Sequence, residues 1–245
     1  MTQPHGTNAG QSGNAPEATV ISVILDRSGS MASMRGPTIK GFNEFMHGQR
    51  DQKDGGRALV SLTQFDDEYE VNFVGEPIEN LPELDTDSYV PRGSTALYDA
   101  IGRTVHEMEG WAREHDWKER VLVVIITDGL ENSSQEFDLP AIQALIERKE
   151  KDGWNFVYMG ANQDSFAVGG AMKIRRDHSA NWDATPDGMA SAYSRVSHSA
   201  REYRGRSAKG IHAQAFFADS PDEPAPKKEP AGKLTPMGPT KKSDK

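Results

Sequence analysis

Apolar residues in this chain follow two different periods, and the periods alternate. Thr19–Leu25 and Val121–Ile126 are short, unbroken, β-branched runs, the pattern of strands covered on both faces. Behind Pro37, whose missing N–H costs little in a first helical turn, Ile39, Phe42, Phe45 and Met46 recur at helical spacing. Leu97, Ala100, Ile101, Val105 and Met108 line one face of a second helix, and Asp138 and Pro140 open a third with Ile142, Leu145 and Ile146 inward. Ala58–Phe65 and Tyr69–Val74 predict two strands joined by the tight acidic turn Asp66-Asp67-Glu68, most simply a hairpin. Trp154–Met159 predicts another strand and Ala180–Ala184 a short one. Pro186–Tyr203 predicts a last helix that docks through Met189, Tyr193, Val196, Ala200 and Tyr203.

Such alternation implies an α/β fold: a Rossmann-like, doubly wound, mostly parallel central sheet with one antiparallel edge strand and helices on both faces. In sheets of this kind ligands bind outside the carboxyl ends of the strands, near the point where strand order reverses. The domain is expected over residues 19–205. Residues 1–18 are rich in Gly, Asn, Gln, Ser and Pro and read as a disordered arm; 206–245, rich in Pro and Lys, read as a mostly disordered tail.

Composition narrows the function. A net charge of -9 argues against a general nucleic-acid binder, and the absence of cysteine excludes disulfides, thiolate metal sites and cysteine nucleophiles. The first residues have neither the basic start nor the apolar core of a secretory signal, and no apolar run is long enough to span a bilayer. The expectation is a cytoplasmic protein that binds neither membrane nor nucleic acid; oligomeric state is left open.

The chemistry concentrates where strands end. The run VISVILDRSGSM stops being apolar at Asp26 and continues as Asp26-x-Ser28-x-Ser30. Gly93-Ser94-Thr95 precedes the second helix, and Thr127-Asp128-Gly129 follows the most apolar strand. Each has an ordinary explanation as a turn, a cap or an Asp-Gly pair. Taken together, and in this order, DRSGS, GSTALYDA and TDG resemble the metal-ion-dependent adhesion site (MIDAS) of the von Willebrand factor type A domain, over roughly residues 18 to 205.

The resemblance implies a compact module of the bacterial or phage kind that binds magnesium, with manganese or calcium also compatible, through Asp26, Ser28, Ser30, Thr95 and Asp128. It implies direct ligation at Ser28 and Ser30, water-mediated contact at Asp26 and Asp128, and entry of Thr95 when the site is engaged. The partner is then a protein whose acidic side chain completes the metal shell. No enzyme activity is implied.

The remaining polar residues near these loops read less specifically. Asp66, Asp67, Glu68, Glu131 and Asp164 are a solvated rim, with a part in partner choice as the alternative, and Arg27 and Arg92 flank the site. A second function class is a structural or virion-assembly protein that uses the fold only for packing. A magnesium-dependent phosphatase of the haloacid-dehalogenase type shares an Asp after the first strand. It requires a second Asp where Ser28 stands, and Asp66-Asp67 comes too early for its downstream acidic pair. No HExxH, GxxxxGK[ST] or dinucleotide fingerprint is present.

Overall fold

The computed structural model describes residues 18–53, 55–117, 120–205 and 215–217. Its centre is a six-stranded sheet in the order β3-β2-β1-β4-β5-β6. The strands are β1 (Thr19–Asp26), β2 (Ala58–Phe65), β3 (Tyr69–Pro77), β4 (Arg120–Thr127), β5 (Asn155–Ala161) and β6 (Ser179–Trp182). β1 lies between β2 and β4, parallel to both, with Ile21 level with Val60 on one side and Leu122 on the other. β3 turns back antiparallel on β2 and forms one edge. The chain builds outward from β1 through β2 to β3, then returns to lay β4 on the other side of β1. The reversal of strand order therefore falls between β1 and β4.

Every residue of β1, β2, β4 and β5 is buried, as continuous apolar runs require when helices cover both faces. Because side chains alternate along a strand, each run feeds two cores. Ile21, Val23 and Leu25 pack with Phe42, Phe45 and Met46 of α1 (Arg35–Arg50) and Met189, Tyr193 and Val196 of α5 (Pro186–Gly205). Val20 and Ile24 pack with Leu97, Ile101 and Val105 of α2 (Leu97–Glu114) and with Ile142 and Ile146 of α3 (Leu139–Lys151). Asp138 caps α3 by accepting the Ala141 N–H at 2.9 Å.

Departures from expectation are local. β3 runs on to Pro77, and the last strand is Ser179–Trp182, one residue earlier at its start than expected and two at its end. A short helix, α4 (Ser165–Ala171), and a 3-10 turn over Gly29–Met34 were not expected. The N-terminal arm expected over residues 1–18 lies, apart from buried Ala18, outside the described residues. So does most of the C-terminal tail expected over 206–245, of which only 215–217 are described and Phe216 is buried in the α1–α5 core. No helix among the described residues is long and apolar enough to cross a membrane.

Candidate metal centre

β1 and β4 end side by side, and their last residues meet. Asp26 closes β1 with its side chain buried. The chain then leaves the sheet in an Asx-type turn in which the Ser28 N–H donates to Asp26 Oδ1 at 2.6 Å. The 3-10 turn that follows curls Ser30 back, so that its Oγ lies 3.1 Å from Ser28 Oγ. Thr127, the last residue of β4, donates its hydroxyl to Asp26 Oδ2 at 2.5 Å. Asp128 Oδ1 accepts the Ser30 hydroxyl at 2.5 Å. Ser30 gives its proton to Asp128, and the Ser28 hydroxyl also bonds the Asp26 carboxylate. The hydroxyl protons thus run toward the carboxylates.

Thr95 arrives from the loop before α2. Its N–H donates to Asn132 Oδ1 at 2.9 Å and its carbonyl accepts the Asn132 N–H at 3.0 Å, which fastens it to the loop after β4. Its hydroxyl lies against Gly129, where a Cβ would come within 2.8 Å of Thr95 Oγ1. Glycine after Asp128 is therefore a requirement of space. Asp26, Ser28, Ser30 and Asp128 form one hydrogen-bonded group, and Thr95 adjoins it through Gly129. Ser30 is exposed and the other four are buried, which leaves the group open on one side.

The electrostatics are one-sided. Burial raises the Asp26 carboxyl to about 6, against the pull of the Thr127 and Ser28 hydrogen bonds, with the Asp128 carboxylate adding to the rise. Burial also raises Asp128, opposed by the Ser30 hydroxyl. No cationic side chain pairs with either carboxylate among the described residues. Of the flanking arginines, Arg27 is buried and Arg92 half-exposed, and both turn to Asp66.

This donor set fits a hard cation. Oxygens at adjacent corners of an octahedral shell with bonds of about 2.1 Å stand about 3 Å apart, the spacing of the two serine hydroxyls. Two carboxylates without a counter-charge supply the attraction. No group of three or more His, Cys, Asp or Glu side chains capable of holding a metal occurs among the described residues, so the fit rests on hydroxyls and only two carboxylates.

Of the acids read as a solvated rim, Asp67, Glu68 and Asp164 are exposed and Glu131 is half-buried, whereas Asp66 departs from the reading. Asp66 is fully buried. Glu131 accepts N–H groups of Tyr98, Ser133 and Ser134, and Asp164 caps α4 by accepting from Phe166 and Ala167. Four residues near the site stand outside the expected ligand set: Thr127, Asn132, Tyr89 and Gln163. Tyr89 is buried and donates its hydroxyl to the Asp26 carbonyl at 2.7 Å; Gln163 donates to the Gly129 carbonyl at 3.2 Å. Thr127 alone carried a signal, as a hydroxyl ending a buried strand beside Asp128.

No family model matches the sequence, and no curated protein matches it. Solved structures do. Proximal thread matrix protein 1 from the mussel byssus aligns at 17% identity and a TM-score of 0.53, over 75% of this chain and 46% of that one. The same protein "with zinc occupied MIDAS motif" aligns at 17% and 0.52, over 76% and 46%. The pilus adhesin SpaC from Lactobacillus rhamnosus GG, in an open conformation, aligns at 14% and 0.55, over 77% and 30%. The chain thus spans less than half the length of each. At such identities the likeness is one of fold, and that fold is the von Willebrand factor type A domain.

Proposed function

We propose that this chain is a divalent-cation-dependent protein-binding module, in which Asp26, Ser28, Ser30, Thr95 and Asp128 hold magnesium or manganese and an acidic side chain of a partner protein completes the shell. The observation that carries the reading is the pair of buried carboxylates, Asp26 and Asp128, left without a cationic partner at the open end of a hydroxyl cluster. A zinc-occupied MIDAS in a protein of the same fold supports a divalent ion at this edge.

The residues divide the work by charge. Ser28 and Ser30 offer neutral oxygens, so they bind a cation without cancelling its charge. Asp26 is held by the Ser28 N–H and the Thr127 hydroxyl, and Asp128 by the Ser30 hydroxyl, an arrangement suited to acceptors one layer out. A bound cation supplies a Lewis-acid centre for a carboxylate oxygen of the partner. Binding rather than catalysis is favoured because Asp26 is buried with both oxygens already accepting hydrogen bonds, a poor state for a nucleophile.

Thermal and urea unfolding with magnesium, manganese or chelator tests this. At free ion about 100 times the dissociation constant, wild type gains roughly 2.7 kcal/mol and Asp128→Ala gains none. Equal shifts in both proteins remove the site from consideration. Affinity capture with and without chelator then separates metal-dependent partner binding from a packing role, which survives chelation.

A further inference from the structure

The turn between β2 and β3 is Asp66-Asp67-Glu68, and Asp66 is fully buried. One of its carboxylate oxygens accepts from two guanidinium groups, Arg27 Nε at 3.0 Å and Arg92 Nε at 2.9 Å. Arg27 stands between Asp26 and Ser28, and Arg92 leads into the Thr95 loop. The other oxygen accepts the Glu68 N–H at 2.5 Å, so the turn itself aims the carboxylate. Glu70 and Glu68 add a second acid to Arg27 and Arg92 respectively.

The same turn holds the backbone on either side of Thr95. The Asp66 carbonyl accepts the Ala96 N–H at 3.0 Å, and Asp67 Oδ1 accepts the Ser94 N–H at 3.2 Å. Gly93 has a φ of 66°, and a Cβ on it would lie 1.7 Å from Asp67 Oδ1, so only glycine lets the loop approach this closely. None of these contacts is made by the oxygen-bearing side chains of the site. The turn reaches them only through the two loops that carry them.

We infer that Asp66 is a positioning residue of the metal centre: it ties the Asp26–Ser30 loop to the Thr95 loop and so sets where the Thr95 hydroxyl stands relative to Ser28 and Ser30. The inference rests on the metal-site reading above. Stability alone is a weak reason for a buried ionic link, because desolvation offsets most of the attraction and apolar packing serves as well. What such a link adds is side-chain register to two segments that the backbone joins at two points, from the Arg92 N–H to the Arg27 carbonyl at 2.7 Å and from the Gly29 N–H to the Gly93 carbonyl at 3.1 Å.

The test is calorimetric titration of the full-length chain with Mn2+, comparing wild type, Asp66→Asn, Thr95→Ala and the double variant, with unfolding temperatures recorded in chelator. Asp66→Asn is expected to weaken Mn2+ binding by about tenfold. The double variant should bind no more weakly than the weaker single variant, because both changes act on one loop; a purely structural role predicts losses that multiply. Arg92→Gln, at a half-exposed position, cuts the same link and gives the same readout if Asp66→Asn does not fold. Mn2+ binding that depends on Asp128 but is unchanged in Asp66→Asn and Arg92→Gln overturns this inference alone. Wild type that binds no Mn2+ overturns it together with the metal-site reading.

Discussion

The two ends of the sheet bury opposite charges and treat them differently. At the carboxyl end of β1 and β4, Asp26 and Asp128 are buried carboxylates met only by hydroxyls and an N–H. At the other end, Arg120 at the start of β4 and Arg204 in the last turn of α5 are buried guanidinium groups. Arg120 donates to the carbonyl of Tyr203 at 3.0 Å; Arg204 donates to the carbonyls of Gln49 at 2.6 Å and Gly56 at 3.0 Å. Tyr203 and Gln49 lie in the last turns of α5 and α1, where carbonyls lack intrahelical partners and the helix dipole is negative. Burial brings Arg204 down to about 10, which still leaves it charged at neutral pH. One end meets its charges with backbone carbonyls, those of Tyr203 and Gln49 at helix ends. The other meets its charges with hydroxyls and N–H groups and no cation among the described residues, and the proposed binding site rests on that difference.

The contrast is breakable at either end. The largest effect is expected at the arginine end: Arg204→Met leaves the Gln49 and Gly56 carbonyls without their charged donor and should cost about 4 kcal/mol in urea unfolding, with or without magnesium. A loss below about 1 kcal/mol would mean that water or other groups replace the guanidinium, and the closed-end description fails.

The carboxylate end should respond to pH with a definite sign. Because burial lifts Asp26 to about 6, its contribution to stability is full below the unfolded value near 3.8 and is lost as pH rises through about 6. In chelator, the stability of wild type minus that of Asp26→Asn should therefore fall between pH 4 and 7, by at most about 3 kcal/mol. A flat difference means that the carboxylate is balanced within the protein. The smallest effect is expected from Tyr89→Phe, which deletes the donor to the Asp26 carbonyl and should cost about 1 kcal/mol; Mn2+ titration of the variant sharpens how far support from behind the strand matters to the site.

The legible parts of the chain were those in which one residue's role follows from its neighbours in sequence. β1 and β4 are readable because a strand covered on both faces needs an unbroken apolar run. Asp26, Ser28, Ser30, Thr95 and Asp128 stand out because DRSGS, GSTALYDA and TDG resemble, in that order, the metal-ion-dependent adhesion site, and because Asp26 and Asp128 sit just beyond apolar runs. α4, seven residues containing Gly169-Gly170, has too few turns for a periodic signal and depends on the Asp164 cap. The acids were harder for a different reason: a turn aspartate looks the same in sequence whether it faces water, as the rim reading had it, or two arginines, as Asp66 does.

The amino-acid order by itself therefore determined the α/β alternation, the antiparallel hairpin of β2 and β3, and the identity of the oxygen-bearing residues at the strand ends. These follow from local periodicity and side-chain chemistry. Only the tertiary structure decided which charges are balanced. Asp66 pairs with Arg27 and Arg92 across 26 to 39 residues of chain, whereas Asp26 and Asp128 meet at the junction of β1 and β4 with no cation pairing with either among the described residues. Coulombic pairing depends on distance in space, and that distance is set by the order of strands in the sheet.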